Sequence, residues 1–487
     1  MMSVVLSLFS GVLCTMLKGK KARTYTALYE CVLLIMAICV LWYTVRTGQS
    51  FTYVLGEFPA PWGNELRAGI LESVIAVTFL FVMLCAVMAG RRYVTVDIDE
   101  SKSNLYYALI NLMTAALMAM TWTNDVFSGY VFLEILTLTS CGILIVREIG
   151  RTTLAAVRYM ILNLLGSGLF LLGVVLLYDI TGNLLMVPMQ QEVSALFADP
   201  GTRTALTMAT GILTIGLSIK SGLFPFHFWM PDTYGWATPT SAAILSSLVS
   251  KSYIFLLIKV YWRVLGIENF EKMPVHNILL VLGICGMIFG SVSAIRADNI
   301  NRMVAFSSAA QIGYIYMGIG VGGLIGFSAA VFHIMAHSVT KSQLFLTTPR
   351  MAEVSGGSLK FKNLQGCAIR DPNAGLFFLV PSLSMIGIPI FAGFASKLYF
   401  ATAAANVGGV KLVMVMLAMA ASSMLNALYF IRTLIRIYSK GDVRDARIPH
   451  RLDYNIPMLA LTAANLAMGL FSWVFAGLIQ QGFGMFM

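Results

Sequence analysis

The chain has 487 residues, 58% of them hydrophobic and 11% charged, with a formal net charge of +11 and a mean hydropathy of +0.81. So few charges against so much apolar surface exclude a water-soluble globular protein and leave a polytopic membrane protein. The basic excess would suit nucleic acid, but its placement along the chain excludes that reading.

Apolar runs of roughly 17–25 residues, each long enough to cross a bilayer as a helix, recur from end to end. They predict fourteen spans, at residues 1–17, 28–45, 68–89, 105–122, 126–146, 154–178, 205–223, 240–262, 276–295, 303–320, 324–347, 375–402, 411–438 and 455–480. The first run precedes its positive residues (Lys18, Lys20, Lys21, Arg23) and shows no small-residue cleavage site, so it reads as a span and not as a removable signal. Suppose the loop after span 1 is cytoplasmic. Loops on that side then hold 22 of the 33 Lys and Arg, the opposite side holds 6, and five (Lys220, Lys251, Lys259, Lys341, Lys397) lie within spans. This is the positive-inside bias. It places both termini outside and makes the basic balance a topology signal, with no nucleic-acid partner. The seven cysteines are scattered, mostly inside apolar runs and without a CxxC pair, so no iron–sulfur cluster, zinc site or disulfide framework is expected.

Punctuation inside the spans falls at two places. Pro225 follows Lys220 closely, and Gly387 and Pro389 precede Lys397. Proline removes a backbone donor and breaks a helix, and broken backbone at membrane depth survives only where protein or a wet cavity satisfies it. Spans 7 and 12 are therefore expected to be discontinuous, and each carries a lysine. They lie five spans apart, which points to two repeats, spans 4–8 and 9–13. An odd number of spans per repeat makes them inverted. The corresponding divisions are helices 1–3 over 1–104, a first five-helix repeat over 105–262, a second over 276–438, and a last helix over 455–487. No GxxxxGK[ST] loop or other phosphate cradle occurs, so no nucleotide, flavin or metal cofactor is expected in this chain.

The chemistry should lie in ionisable residues at membrane depth, which are costly and mark ion pathways. Glu134 sits near the middle of span 5; the structural alternative is a carboxylate satisfied by hydroxyls such as that of Thr137. Lys220 lies toward the cytoplasmic end of span 7, ahead of a loop rich in Pro and aromatics. Lys251 is mid-span on span 8, and Lys259, near the outer end, is expected to snorkel to the interface. His333, His337 and Lys341, spaced i, i+4, i+8, share one face of span 11. Three titratable groups in register point to a proton relay, to which histidine is suited by a pKa near physiological pH. The two His could bind zinc, but no carboxylate or Cys stands near in sequence to complete a site. Lys397 follows the Gly-Ile-Pro break of span 12. The 29 methionines and the aromatics are assigned to packing.

At this point the sequence resembles a known family. The stretch Lys220–Lys251, DNINRMVAFSSAAQIGY (Asp298–Tyr314), FHIMAHSVTKSQLF (Phe332–Phe345) and SMIGIPIFAGFASKLYF (Ser384–Phe400) are similar, in order and at family spacing, to the antiporter-like subunits of respiratory complex I (NADH:quinone oxidoreductase). Subunits of Mrp-type Na⁺/H⁺ antiporters and of energy-converting membrane-bound hydrogenases share the pattern. The resemblance runs from about Tyr53 to Tyr438. It implies an all-α fold of about 14 membrane helices, with two inverted five-helix repeats and broken helices 7 and 12. Glu134 matches the helix-5 glutamate, Lys220 the helix-7 lysine paired with it, Lys251 the helix-8 lysine, His333, His337 and Lys341 the helix-11 relay, and Lys397 the helix-12 exit residue. There are departures. Ser246 stands where some members have a helix-8 histidine. Glu72 stands in an unusual context for the acid that many members carry early in span 3. No long lateral helix follows span 14. The stretch Pro59–Gly63 and the length resemble the Mrp and hydrogenase branches, and so a prokaryotic cell membrane.

The resemblance implies a proton-translocating membrane subunit of a redox-driven pump, surrounded by other membrane-arm subunits and a peripheral iron–sulfur module. A subunit of an Mrp-type antiporter, moving Na⁺ as well as protons without a redox partner, is the alternative. A structural scaffold with an inactive relay, and an unrelated solute permease, are remoter readings.

Overall fold

A backbone in lipid must satisfy its own N–H and C=O groups, and the apolar runs do so as helices. The computed structural model describes residues 2–58, 64–440 and 451–486. Its longer helices are α1 (Met2–Met16), α2 (Gly19–Thr47), α3 (Ile70–Ala89), α4 (Ser103–Trp122), α5 (Val126–Ile145), α6 (Gly150–Thr181), α7 (Pro200–Ser221), α8 (Pro239–Leu265), α9 (Val275–Ile295), α10 (Ile300–Val321), α11 (Gly323–Val354), α12 (Pro372–Ile386), α13 (Ala392–Val407), α14 (Gly409–Tyr438), α15 (Leu452–Leu470) and α16 (Ser472–Gly484), with shorter helices, among them Met186–Leu196, and turns between them. Among the described residues eleven helical segments are long and apolar enough to cross a membrane, twelve if the bent pair α15–α16, at 79°, is one span. The α1 and α12 helices are shorter and apolar.

The expectation of an all-α chain needs one correction. Strands β1 (Phe51–Leu55) and β2 (Asn64–Ala68) pair antiparallel between α2 and α3, with Phe51 opposite Ala68. Aromatic and β-branched side chains in FTYVL favour the extended form. Pro59–Gly63, between these strands, lies outside the described residues, as do Arg444 and Arg447. Several helices also outrun their predicted spans: α6 and α11 each run 32 residues, because their polar ends continue the helix beyond the apolar stretch.

The most apolar window of α8 is wholly inside the protein, whereas only 22% of that of α2 is. The α8 helix is therefore the axis of the core, and its α-helical turns are interrupted by π-turns at Leu245–Val249 and Tyr261–Leu265, on either side of Lys251. Such turns often mark functional sites. Glycines let two helix pairs meet backbone to backbone. A Cβ on Gly216 of α7 would lie 2.6 Å from Gly166 O and Phe170 N of α6, and one on Gly313 of α10 would lie 2.6 Å from Gly283 O and Met287 N of α9. Small residues at a crossing are a common means of packing membrane helices.

Both punctuated stretches are interrupted. The α7 helix closes on Gly222 (φ 78°), whose N–H donates to Ser218 O, and Trp229 Nε1 returns to Ile219 O at 3.3 Å. The α12 helix closes on Gly387 (φ 95°), and α13 restarts at Ala392. The freed groups at the second break find partners: Ala392 N donates to Asn465 Oδ1 at 3.2 Å and Gly393 N to Ser384 Oγ at 3.0 Å.

Candidate functional site: a buried line of lysines and histidines

The α7 and α5 helices bring the first two residues together. Lys220 ends α7, is completely buried, and donates from Nζ to Thr137 Oγ1 at 2.7 Å. Thr137 stands one turn after Glu134 on α5. The partly buried Glu134 acts on Lys220 through space without forming one of the ion pairs within 4.0 Å, and its Oε1 has no hydrogen-bond partner. Thr137 therefore serves Lys220 and leaves Glu134 Oε1 without a partner. Tyr253 of α8 completes this end: its ring centroid is 5.3 Å from Lys220 Nζ and its hydroxyl 3.4 Å from Thr137 Oγ1.

Two residues before Tyr253, the fully buried Lys251 donates to Ser246 O and to Ser250 Oγ. Its ammonium is thus held by its own helix, at the π-turn carbonyl of Ser246 and the hydroxyl of Ser250. No hydrogen bond joins Lys220 to Lys251 directly; Tyr253, which packs against Lys220, stands two residues along α8 from Lys251. Beyond Lys251 lies α11, tied to α8 where Ser338 Oγ donates to Ser247 O at 2.7 Å.

On α11 the i, i+4 spacing stacks the imidazoles of His333 and His337, with centroids 5.8 Å apart and planes at 11°. His333 Nδ1 meets Ser396 Oγ of α13 at 2.9 Å, while His333 Nε2 and both ring nitrogens of His337 have no partner. His337 is fully buried. Buried polar atoms are rarely left so. Lys341 donates to Val304 O at 3.0 Å and to Ser307 Oγ, both on α10. The charges of Lys251 and Lys341 act on both histidines.

Lys397 closes the line at the second break. Its Nζ donates to Ile386 O at 2.6 Å and to Ser423 Oγ at 2.8 Å, and stands 5.6 Å from the ring centroid of Tyr314, which itself packs 5.6 Å from that of His333. Ile386 O is a carbonyl at the C-terminal end of α12, where a cation is favoured. Gly387 leaves the room: a Cβ there would lie 2.9 Å from Lys397 Nζ. Lys397 is thus part of the break and not a snorkelling side chain.

A second charged cluster corrects the expectation for Lys259. It does not snorkel but is fully buried, donating to Thr121 O and Thr123 O, with Glu72 Oε1 at 3.9 Å. Glu72 in turn pairs with Arg67 at 2.7 Å, and Arg67 and Arg263 approach the Phe486 ring with their guanidinium carbons 5.0 and 5.1 Å from its centroid. The helix continues past the predicted end of span 8, and the helix Met186–Leu196 packs on that end with the Phe483 and Phe486 rings beside it, which removes the interface that Lys259 would have reached. Glu30 on α2 was equally absent from the expected site; an acid inside the apolar run 28–45 was its signal.

This arrangement has relatives among known proteins. The family model described as NADH:quinone oxidoreductase/Mrp antiporter, TM, matches residues 123–424, from α5 to α14. NADH-quinone oxidoreductase subunit N of Desulforudis audaxviator is 31% identical over 446 residues, 88% of this chain and 86% of that protein. One Na⁺/H⁺ antiporter subunit of Bacillus subtilis is 25% identical over 359 residues, 74% of this chain and 70% of that one. Among solved structures, a chain of the membrane-bound sulfane sulfur reductase, an archaeal respiratory membrane complex, superposes with a TM-score of 0.90 at 24% identity, covering 100% of this chain and 97% of that one.

Proposed function

We propose that this chain, which belongs to the NADH:quinone oxidoreductase/Mrp antiporter transmembrane family, is the proton-translocating membrane subunit of a multi-subunit, redox-driven ion pump. The observation that carries the reading is the buried line itself, in which Lys220, Lys251, His333, His337 and Lys341 are all at most 1% exposed and several ring nitrogens lack partners.

In this reading Glu134 and Lys220 are the switch. A carboxylate near a buried lysine sets how firmly that lysine holds its proton, so moving Glu134, or changing a charge in an adjacent subunit, makes Lys220 release it. The proton passes by Lys251, His337, His333 and Lys341 to Lys397 and leaves on the outer side, while Lys220 reloads from the cytoplasm. Moving one charge against 100 mV costs about 2.3 kcal/mol. A partner reaction must supply this, and we assign the redox centres to a peripheral iron–sulfur module and no cofactor to this chain. The helices correspond to fourteen spans, with α12 and α13 the halves of one and α15 and α16 of another. They group as helices 1–3 (1–104), inverted repeats over 105–262 and 276–438, and a last helix (455–487), in a prokaryotic cell membrane with both termini outside.

The likeness to an Na⁺/H⁺ antiporter protein favours a second reading, in which the same line belongs to a secondary antiporter and Na⁺ also moves. Subunit composition separates them. The intact complex, purified in mild detergent, is expected to yield iron–sulfur and redox subunits by mass spectrometry and to contain iron. Small membrane subunits alone, without metal, would overturn the redox-driven reading in favour of the antiporter.

A further inference from the structure

Helices α1, α2 and α4 enclose a polar cluster that the lysine–histidine line does not use. Its centre is Glu30, 0% exposed within α2. None of the ion pairs among the described residues includes it. Glu30 Oε1 lies 2.6 Å from Thr114 Oγ1 of α4, and Glu30 Oε2 has no partner. The titratable groups facing this cluster are Cys14 on α1, Tyr29 on α2 and Tyr107 on α4; Lys20, Arg23 and Glu100 stand at its mouth, with the charge of Arg91 close by.

Hydrogen-bond bookkeeping decides where a proton sits. The Thr114 hydroxyl has one proton and two oxygens within reach, Glu30 Oε1 and Ile110 O at 3.1 Å. If Glu30 is ionised, that proton serves only one of them, and a charge stands buried without a cation. If Glu30 is protonated, it donates to Thr114 Oγ1 and Thr114 donates to Ile110 O. Both bonds then close and no charge is buried.

A polar route to the carboxyl begins beside the loop after α1. A pocket of about 160 Å³ opens beside the loop after α1, lined by Lys20, Arg23, Glu100, Ser103 and Tyr107. Ser103, Tyr107, Asn111 and Thr114 recur every three or four residues, on one face of α4. The Tyr107 hydroxyl and Asn111 Oδ1 are buried without partners, and Asn111 Nδ2 donates to Cys14 Sγ at 3.0 Å and Thr26 Oγ1 at 3.2 Å. On the far side of Glu30, a cavity of about 470 Å³ is lined mainly by apolar groups such as Leu33, Ala37 and Met118, with Ser3, Thr52, Tyr53 and Arg67 also on its walls.

We infer that Glu30 is a second proton-binding site, loaded from the Lys20–Arg23 side through Tyr107 and Asn111 and separate from the lysine–histidine line. It stores a proton, which the bonds to Thr114 and onward to Ile110 O hold in place.

Infrared difference spectra of the intact complex in lipid at neutral pH, wild type minus Glu30→Gln, test the site. The expected result is the C=O band of a protonated carboxyl, which shifts on transfer to D₂O. Carboxylate bands in its place would overturn the proposal. Tyr107→Phe and Asn111→Leu are each expected to slow the D₂O shift by about tenfold, the effect of one lost hydrogen-bonding step of about 1.4 kcal/mol; an unchanged rate in both would overturn the route. Should Glu30→Gln fail to assemble, Thr114→Val keeps the carboxyl. It is expected to raise the band's frequency by removing its hydrogen bond, and a band left in place would contradict the assignment.

Discussion

Exchange of Glu134 for Gln is expected to cut coupled proton movement by about a hundredfold while leaving the complex assembled. Gln keeps the size and the hydrogen-bonding oxygen and removes the charge. Glu134 forms no close ion pair and its Oε1 has no partner, so little structural energy depends on it. The charge itself acts on Lys220. Two unit charges about 5 Å apart at an effective dielectric of about 20 interact by about 3 kcal/mol, and each 1.4 kcal/mol is a factor of ten. The check is proton movement per assembled complex in proteoliposomes. Transport at the wild-type level would remove Glu134 from the switch. The Thr137 bond to Lys220 would persist in this variant, so a loss of transport would be assigned to the charge and not to a displaced lysine.

The largest effect on stability is expected for Gly313→Leu. A Cβ on Gly313 would stand 2.6 Å from two backbone atoms of α9, Gly283 O and Met287 N. Neither can rotate away as a side-chain tip could, so α9 and α10 must separate. Overpacking a close-packed site costs about 1–3 kcal/mol and at times more, and a backbone-to-backbone crossing belongs at the upper end. The damage reaches the site, because α10 also provides Val304 O and Ser307 Oγ to Lys341 and the Tyr314 ring to Lys397. Folded yield and thermal unfolding in detergent are the measurements, with Gly313→Ala expected to lie between Leu and wild type. Wild-type stability for the leucine variant would show that the crossing is looser than its geometry.

Much of this was legible in the sequence. Apolar length marked the spans, because lipid leaves a backbone no other partner than itself, and Gly and Pro marked both interruptions. The i, i+4 spacing placed His333 over His337. What the sequence did not reveal depends on packing between distant segments. The direction of Lys259 was read from its depth alone, and its fate was set by Glu72, Arg67 and the residues just after α16, about 190 to 230 residues away along the chain. The π-turns around Lys251 have no composition cue, and the hairpin of β1 and β2 was too short to stand out beside long apolar runs. Glu30 was visible as an acid in an apolar run; only the unmet second oxygen and the fold of α4 against α2 set it apart.

The account rests on protons crossing from the Glu134–Lys220 end to the α11 histidines by way of α8, where Lys251 stands between the two halves without a direct hydrogen bond to Lys220. Proton movement by the purified complex in proteoliposomes, wild type against Lys251→Met, tests this most directly, since Met fills the same space without a charge or a proton to pass. The account predicts an assembled complex whose proton movement falls to a few per cent or less, in line with a loss of about 2–3 kcal/mol at one step. Wild-type proton movement in that variant would contradict it.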